Sequence, residues 1–325
     1  MTQAVLLINL GTPEAPTPAA LRKYLKQFLW DPRIVDLPRP LWWLILHLII
    51  LNTRPKRAAE KYAKVWTPEG SPLKVHTERQ ARLLRGYLGH AGQDRIAVEW
   101  AMRYGRPSVA EALDRLTAAG HTRILVVPLY PQYSVSTTAS ALDAVAAWAQ
   151  RHPGAAKIEV IDHFHRDAAY ISALAASINA HWMNCGKPGK LVMSFHGLPM
   201  SSIERGDPYH GQCLESAQLL AAELGLAEQD YVITFQSRFG PAEWLQPYTC
   251  ATLESLARGG IGRVDVVCPG FVADCLETLE EIAIGCKQAF IAAGGTSFNY
   301  IPCLNAQPEW IAALAGLIGR RLDGK

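Results

Sequence analysis

At 325 residues, with 49% hydrophobic and 19% charged residues, the chain can bury one large core or two of ordinary size. A net charge of +3 permits anionic partners without requiring nucleic acid, and neither an RNP-like motif nor a Cys/His finger spacing is present. Seven cysteines without a C-x-x-C fit a reducing compartment better than a disulfide framework, so a cytoplasmic protein is expected.

The opening MTQAVLLINL has no basic leader and no A-x-A site, which argues against a secretory signal, and it reads as a buried strand over 4–9. Next comes PLWWLILHLIIL, residues 40–51. Its apolar run of 41–51 is about 17 Å long as a helix, against roughly 30 Å for a bilayer core, so it cannot span one. A buried core helix is one reading. The other rests on Trp42 and Trp43, which suit a wet–apolar boundary, on His47, and on the Arg54, Lys56, Arg57, Lys61 and Lys64 that follow, opposed by Glu60. That layout describes a patch on a membrane surface, or the lip of an apolar pocket for an anionic ligand.

Beyond it, short β-rich runs alternate with helical patterns, which argues for parallel α/β layering. Further strands are expected at 96–102, 124–129, 158–161, 191–195, 231–235, 264–267 and 298–301. Helices are expected at 107–118, 139–150, 168–183, 213–224, 244–257, 273–293 and, last, 310–321. VLLINLGTP resembles LVMSFHGLP, and ILVVPLYPQYS resembles VDVVCPGFVAD, as a duplicated α/β unit would require; chance likeness of buried strands is the alternative. Two such units facing each other place their strand-end loops around a shared cleft, where ligands of doubly wound sheets bind.

Several side chains fall on those loops. Arg103 and Tyr104 of AMRYGRP come first, then Tyr130, Tyr133, Ser134, Thr137 and Thr138 of LYPQYSVSTT. His196 of SFHGLP follows a buried strand on a Gly/Pro-braced turn, a position that favours function over a structural role. RGDPYHGQC adds Asp207, Tyr209 and His210 in a loop read as a lid or wall. TFQSRFGPAEWLQPYT adds Gln236, Arg238 and Trp244; the segment reads as architectural, with Arg238 in an ion pair and a helix starting under Trp244 after the turn at 239–241. In CPGFVADCLETLEEI, Asp274 is a natural N-cap, and Glu277 and Glu281 continue its stripe. Two glutamates at i,i+4 cost about 0.2–0.5 kcal/mol. A solvated acidic face would explain them, but an imidazole facing stacked carboxylates suits proton removal and the passing of a divalent cation.

Taken in order, INLGTPEAP, YPQYSxSTT, SFHGLP, GDPY, FQSRFG…EWLQPYT and CPGF…DCLETLEE resemble the ferrochelatases over essentially the whole chain, the last in the form of the bacterial enzymes. The resemblance implies α/β architecture with two Rossmann-like, chelatase-type domains, parallel sheets flanked by helices and an active-site cleft between them. Residues 1–160 would form the first domain, with a membrane-facing lip at about 38–64 and completion by a C-terminal helix at 306–325; residues 161–305 would form the second. The implied activity is insertion of Fe²⁺, as substrate, into protoporphyrin IX to give protohaem and two protons, the last step of haem b biosynthesis. His196 would be the catalytic histidine and Glu277 the facing glutamate, both touching metal, with Asp274 and Glu281 extending a proton or metal path. Arg54 or Arg57, Tyr62 and Ser71 would hold propionates; Arg103, Tyr104, Tyr130, Trp42 and Trp43 would meet the porphyrin; Arg238 and Trp244 would be structural.

The lip implies peripheral contact with the inner face of the cytoplasmic membrane. A C-terminal-type [2Fe–2S] cluster is not expected, because Val135 stands at the upstream position and no Cys follows Cys303. An internal ligand set from Cys250, Cys268, Cys275, Cys286 and Cys303 is disfavoured, since Cys275 and Cys286 on one helix lie about 16 Å apart. A coproporphyrin-using ferrochelatase, a non-catalytic porphyrin or haem carrier, and a solute-binding protein are the rival readings.

Overall fold

The computed structural model describes residues 3–92, 95–238 and 240–323. Among them are eight strands in two parallel sheets. β1 (Gln3–Gly11) lies between β2 (Ala97–Tyr104) and β3 (Arg123–Pro128), and β4 (Lys157–Val160) flanks β3, giving the order β2-β1-β3-β4. β5 (Lys190–His196), β6 (Tyr231–Gln236), β7 (Arg263–Val267) and β8 (Ser297–Tyr300) repeat it as β6-β5-β7-β8. The two likenesses in the sequence fall on β1 with β5 and on β3 with β7, the same places in each sheet, so the duplication is structural. All eight expected strands are present to within a residue or two. Their legibility has a simple cause: Ala4–Ile8 and Leu191–Phe195 are buried throughout, because helices cover both faces of a parallel sheet, and such strands read as continuous apolar runs.

One compact unit comprises the chain to Leu129, Ser134–Asp162 and the residues from Ile318; the other comprises Tyr130–Tyr133 and His163–Leu317. The last helix, Pro308–Leu322, therefore belongs to the second unit as far as Leu317, where assignment of 306–325 to the first was expected. Trp310 is the reason. Its indole stacks on Phe164 at 5.7 Å and meets Tyr170 edge-on at 5.9 Å.

The greasy run forms one continuous helical stretch, from Arg39–Leu44 through a π-helical Ile45–Ile50 into Leu51–Val65. Pro55 has no N–H to offer the Leu51 carbonyl four residues back, and the Arg22 guanidinium donates to that carbonyl instead. Trp42 is only 6% exposed: it packs with Leu29, Leu46 and Leu51, and its indole N–H donates to the Leu29 carbonyl at 2.7 Å. Its expected place on the lip surface is corrected to the core beneath. Trp43, Leu44, Leu48 and Ile49 stay about half exposed or more, Leu48 at 63%. Among the described residues no helix is long and apolar enough to cross a membrane.

Four expectations change in the second unit. The helix read over 244–257 starts at Thr249 (Thr249–Arg258), because the residues before it bond sideways: Leu245 N–H donates to Leu198 O, and Phe235 N–H to Pro247 O, both at 2.9 Å. Phe239, part of the expected turn, lies outside the described residues. The loop holding Asp207, Tyr209 and His210 is short, because the helix Tyr209–Glu223 begins there, its first N–H donating to Asp207 Oδ1 at 3.0 Å. The single helix read over 273–293 begins later, as a π-helix Glu277–Cys286 followed by an α-helix Lys287–Ala292. Its last π-helical residue, Cys286, is disulfide-bonded to Cys250, with Cα atoms 5.1 Å apart, which corrects the expectation of unpaired cysteines.

Candidate active site

His196 ends β5, in register with Gln236 at the end of β6, so both emerge at the carboxyl edge of the second sheet. Its Nδ1 is 2.7 Å from the Gly197 carbonyl. A carbonyl only accepts, so Nδ1 carries the proton in the neutral ring, and Nε2 presents a lone pair. The turn that aims the ring is braced from below. Gly197 N–H donates to Gln236 O at 2.8 Å, and a Cβ at Gly197 would stand 2.9 Å from that oxygen and 3.2 Å from Trp244. Only glycine fits there, and Trp244 is its packing partner, with Pro199 and Trp244 forming a bridge. Arg238 is exposed and lies 5.3 Å from the Tyr248 ring centroid; an aromatic face takes the place of the expected carboxylate partner.

Gln236 joins the histidine strand to the glutamate helix. Its side-chain NH₂ donates to the Glu277 carbonyl at 2.8 Å, while its Oε1 accepts from Ser194 Oγ at 2.8 Å. Ser194 lies two residues before His196, hence on the same face of β5, and also bonds Thr249 Oγ1 at 2.8 Å. Neither Ser194 nor Thr249 was singled out from the sequence; the period-two spacing from His196 was the available signal for Ser194.

Glu277 and Glu281 are half-buried on the π-helix. The Ser237 hydroxyl donates to Glu281, and Ser237 holds φ at 67°, a left-handed conformation uncommon outside glycine and concentrated at functional sites. The neighbouring Glu280 is 7% exposed and was also missed. Asp274 is spent elsewhere. Its Oδ1 accepts from Thr278 Oγ1 at 3.0 Å and from the Tyr300 hydroxyl, and its Oδ2 accepts from Asn305 Nδ2 at 2.6 Å. It knots the loop before the helix, without the backbone N-capping bond expected of it. Burial, then the charges of Asp274 and Glu281, push the Cys268 thiol well up; burial and then Glu277 do the same for Cys275. Among the described residues no three His, Cys, Asp or Glu side chains converge as a metal site.

In the first unit, Arg103 and Tyr104 are committed to a buried cluster. Arg103 reaches Asp31 Oδ2 at 2.6 Å and Ser140 Oγ at 2.8 Å, and the Tyr104 hydroxyl reaches the same Asp31 oxygen at 2.7 Å. Burial raises the Asp31 carboxyl, but the Ser140 and Tyr104 hydroxyls, the Arg33 N–H and Arg103 outweigh it and hold it below the ordinary range. Their polar atoms are thus engaged with Asp31. Ser71 is buried and accepts from Thr12 Oγ1 at 2.7 Å; Tyr62 is buried against Trp66. Arg54 is half-buried, Arg57 exposed, and Tyr130 half-buried just past β3 in the second unit.

A duplicated parallel α/β unit of this kind is the architecture of the metal chelatases. SirB from Bacillus subtilis, solved with Fe³⁺, aligns with a TM-score of 0.60 at 14% identity over 100% of this chain and 98% of that one. CbiX, described as the terminal enzyme of sirohaem biosynthesis in denitrifying bacteria, aligns at 0.50 and 15% over 97% of both. Within that class the sequence is decisive. The ferrochelatase family model matches residues 2–322, and the chain belongs to the ferrochelatase family. It is 58% identical to the ferrochelatase of Aromatoleum aromaticum over 98% of this chain and 87% of that protein, and 59% identical to that of Azoarcus sp. over 95% and 85%. It is accordingly a lyase of haem biosynthesis, inserting metal into a porphyrin.

Proposed function

We propose that this ferrochelatase inserts Fe²⁺ into protoporphyrin IX, giving protohaem, with His196 and Glu277 as its catalytic pair. The observation that carries the assignment is the Gln236 clamp, which holds the β5 end bearing His196 and the first carbonyl of the glutamate helix on one residue. His196 Nε2 takes a pyrrole proton, Glu277 takes or passes the second, and Glu281 continues the path. Fe²⁺ fills the four-nitrogen site as two protons leave, and no electron is transferred. Distorting the macrocycle so that its lone pairs face the metal costs energy, which apolar and propionate contacts offset. Arg54 and Arg57 are the propionate partners we favour, because a guanidinium matches a carboxylate bidentately.

The exposed Trp43, Leu44, Leu48 and Ile49 next to this basic stretch support peripheral binding to the cytoplasmic face of the membrane, where an apolar porphyrin is held. They favour protoporphyrin over the more soluble coproporphyrin. The reading includes no iron–sulfur cluster: Cys250 and Cys286 are bonded to each other, which leaves Cys268, Cys275 and Cys303 of the internal set, one short of a four-cysteine ligand set.

Anaerobic turnover of protoporphyrin IX with Fe²⁺, read by absorbance, tests it. The wild type should make haem, while His196→Ala and Glu277→Gln should bind porphyrin without metallating it. Binding without turnover by the wild type, or a strong preference for coproporphyrin III, would refute the corresponding part.

A further inference from the structure

The Cys250–Cys286 bond closes a ring around the π-helix. From Cys286 the helix runs back to Glu277, whose carbonyl is held by Gln236; Gln236 is held by Ser194, Ser194 by Thr249, and Thr249 is joined to Cys250. Every lateral link but one is a single hydrogen bond. The exception is the disulfide. Cys250 is an exposed residue at the start of the helix Thr249–Arg258, whereas Cys286 is buried.

We infer that Cys250 and Cys286 are a reversible dithiol–disulfide pair whose oxidation state sets the placement of the π-helix carboxylates. This rests on the reading of Glu277 as catalytic. A thiolate of a small dithiol attacks the Cys250 sulfur, the S–S bond breaks, and Cys286 leaves as a thiolate that takes up a proton. The second thiol of the reductant then displaces Cys250, so two electrons and two protons reach the protein and the reductant ends as its own disulfide. Without the staple, the less stable i→i+5 winding is free to relax and shift Glu277 and Glu281. Catalysis is sensitive to displacements on the order of 1 Å, so the reduced form is the slower one.

The test uses the full chain. Alkylation and peptide mass establish the bond after treatment with oxidised glutathione; dithiothreitol then reduces it and is removed anaerobically before assay. Reduction should lower kcat by about fivefold or more, leave the circular dichroism unchanged and raise amide exchange in 277–286; re-oxidation should restore all three. Cys250→Ser should stay at the reduced level under both treatments. Free alkylation of both cysteines in the oxidised sample would overturn the inference, as would equal kcat with equal exchange in the two forms. Absence of turnover in either form would instead sink the chelatase reading, and the exchange of 277–286 would then decide the pair alone.

Discussion

The Gln236 side-chain amide donates to the Glu277 backbone carbonyl at 2.8 Å, while the Gln236 main chain accepts from Gly197 at 2.8 Å. One residue of β6 thus fixes the spacing between the two groups assigned to proton transfer. Gln236→Leu keeps the volume but leaves the Glu277 carbonyl and the Ser194 hydroxyl without this partner, a cost of about 1–3 kcal/mol per stranded buried group. The denaturation midpoint should fall accordingly, and kcat should drop more than KM rises. An unchanged kcat would show that the clamp is irrelevant to chemistry.

Buried and exposed residues of the lip should answer substitution in opposite ways. Trp42→Ala empties a packed site and strands the Leu29 carbonyl, so about 3–5 kcal/mol of stability should be lost. Leu48→Glu alters an exposed position, so stability should stay within about 0.5 kcal/mol while cosedimentation with anionic phospholipid vesicles weakens. Equal vesicle binding by Leu48→Glu and the wild type would remove the membrane role from this face.

These two residues show where sequence reading stops. Strand identity was legible because buried parallel strands are continuous apolar runs, and the duplication because β1 and β5 repeat the same run and turn. The lip helix is apolar almost all round, so no periodicity marked Trp42 as inside and Trp43 as outside; the contact with Leu29 decides it. Arg103 and Tyr104 looked available because Asp31, which occupies both, lies 72 and 73 residues away in the chain. The helix expected at 244 failed for a similar reason: the bonding partners of that backbone, Leu198 and Phe235, are remote in sequence. The Cys250–Cys286 pairing, 36 residues apart, had no local signal at all.

Acid should weaken the first unit through Glu159. Arg123 binds both of its oxygens, at 2.9 and 3.0 Å, and Lys157 adds a contact at 2.9 Å; these bonds, those of Arg123 first, hold the carboxyl down at about 2. An unfolded glutamate titrates near 4.3, so the folded value is depressed. The stabilisation is therefore complete above about pH 4.3 and is lost as pH falls toward 2. Glu159→Gln should lower stability by about 1–2 kcal/mol at neutral pH, after allowance for solvent screening. The Tm gap to wild type should close as the pH is lowered through that window. A gap of constant size would assign the loss to packing alone.

Proline and arginine in the lip should prove energetically coupled. Pro55 removes the donor that the Leu51 carbonyl would otherwise have, and the Arg22 side chain replaces it from the helix Pro18–Leu29 while also donating to Asn52 Oδ1 at 2.9 Å. Arg22→Met should cost about 1–3 kcal/mol, because it strands a part-buried carbonyl in mid-helix. Pro55→Ala supplies an N–H in the right place, so the same Arg22→Met change in that background should cost markedly less. Chemical denaturation of the four members of the cycle measures the difference, expected at about 1 kcal/mol. Additive effects would mean that the guanidinium serves Asn52 or solvent rather than the gap that Pro55 leaves in the helix.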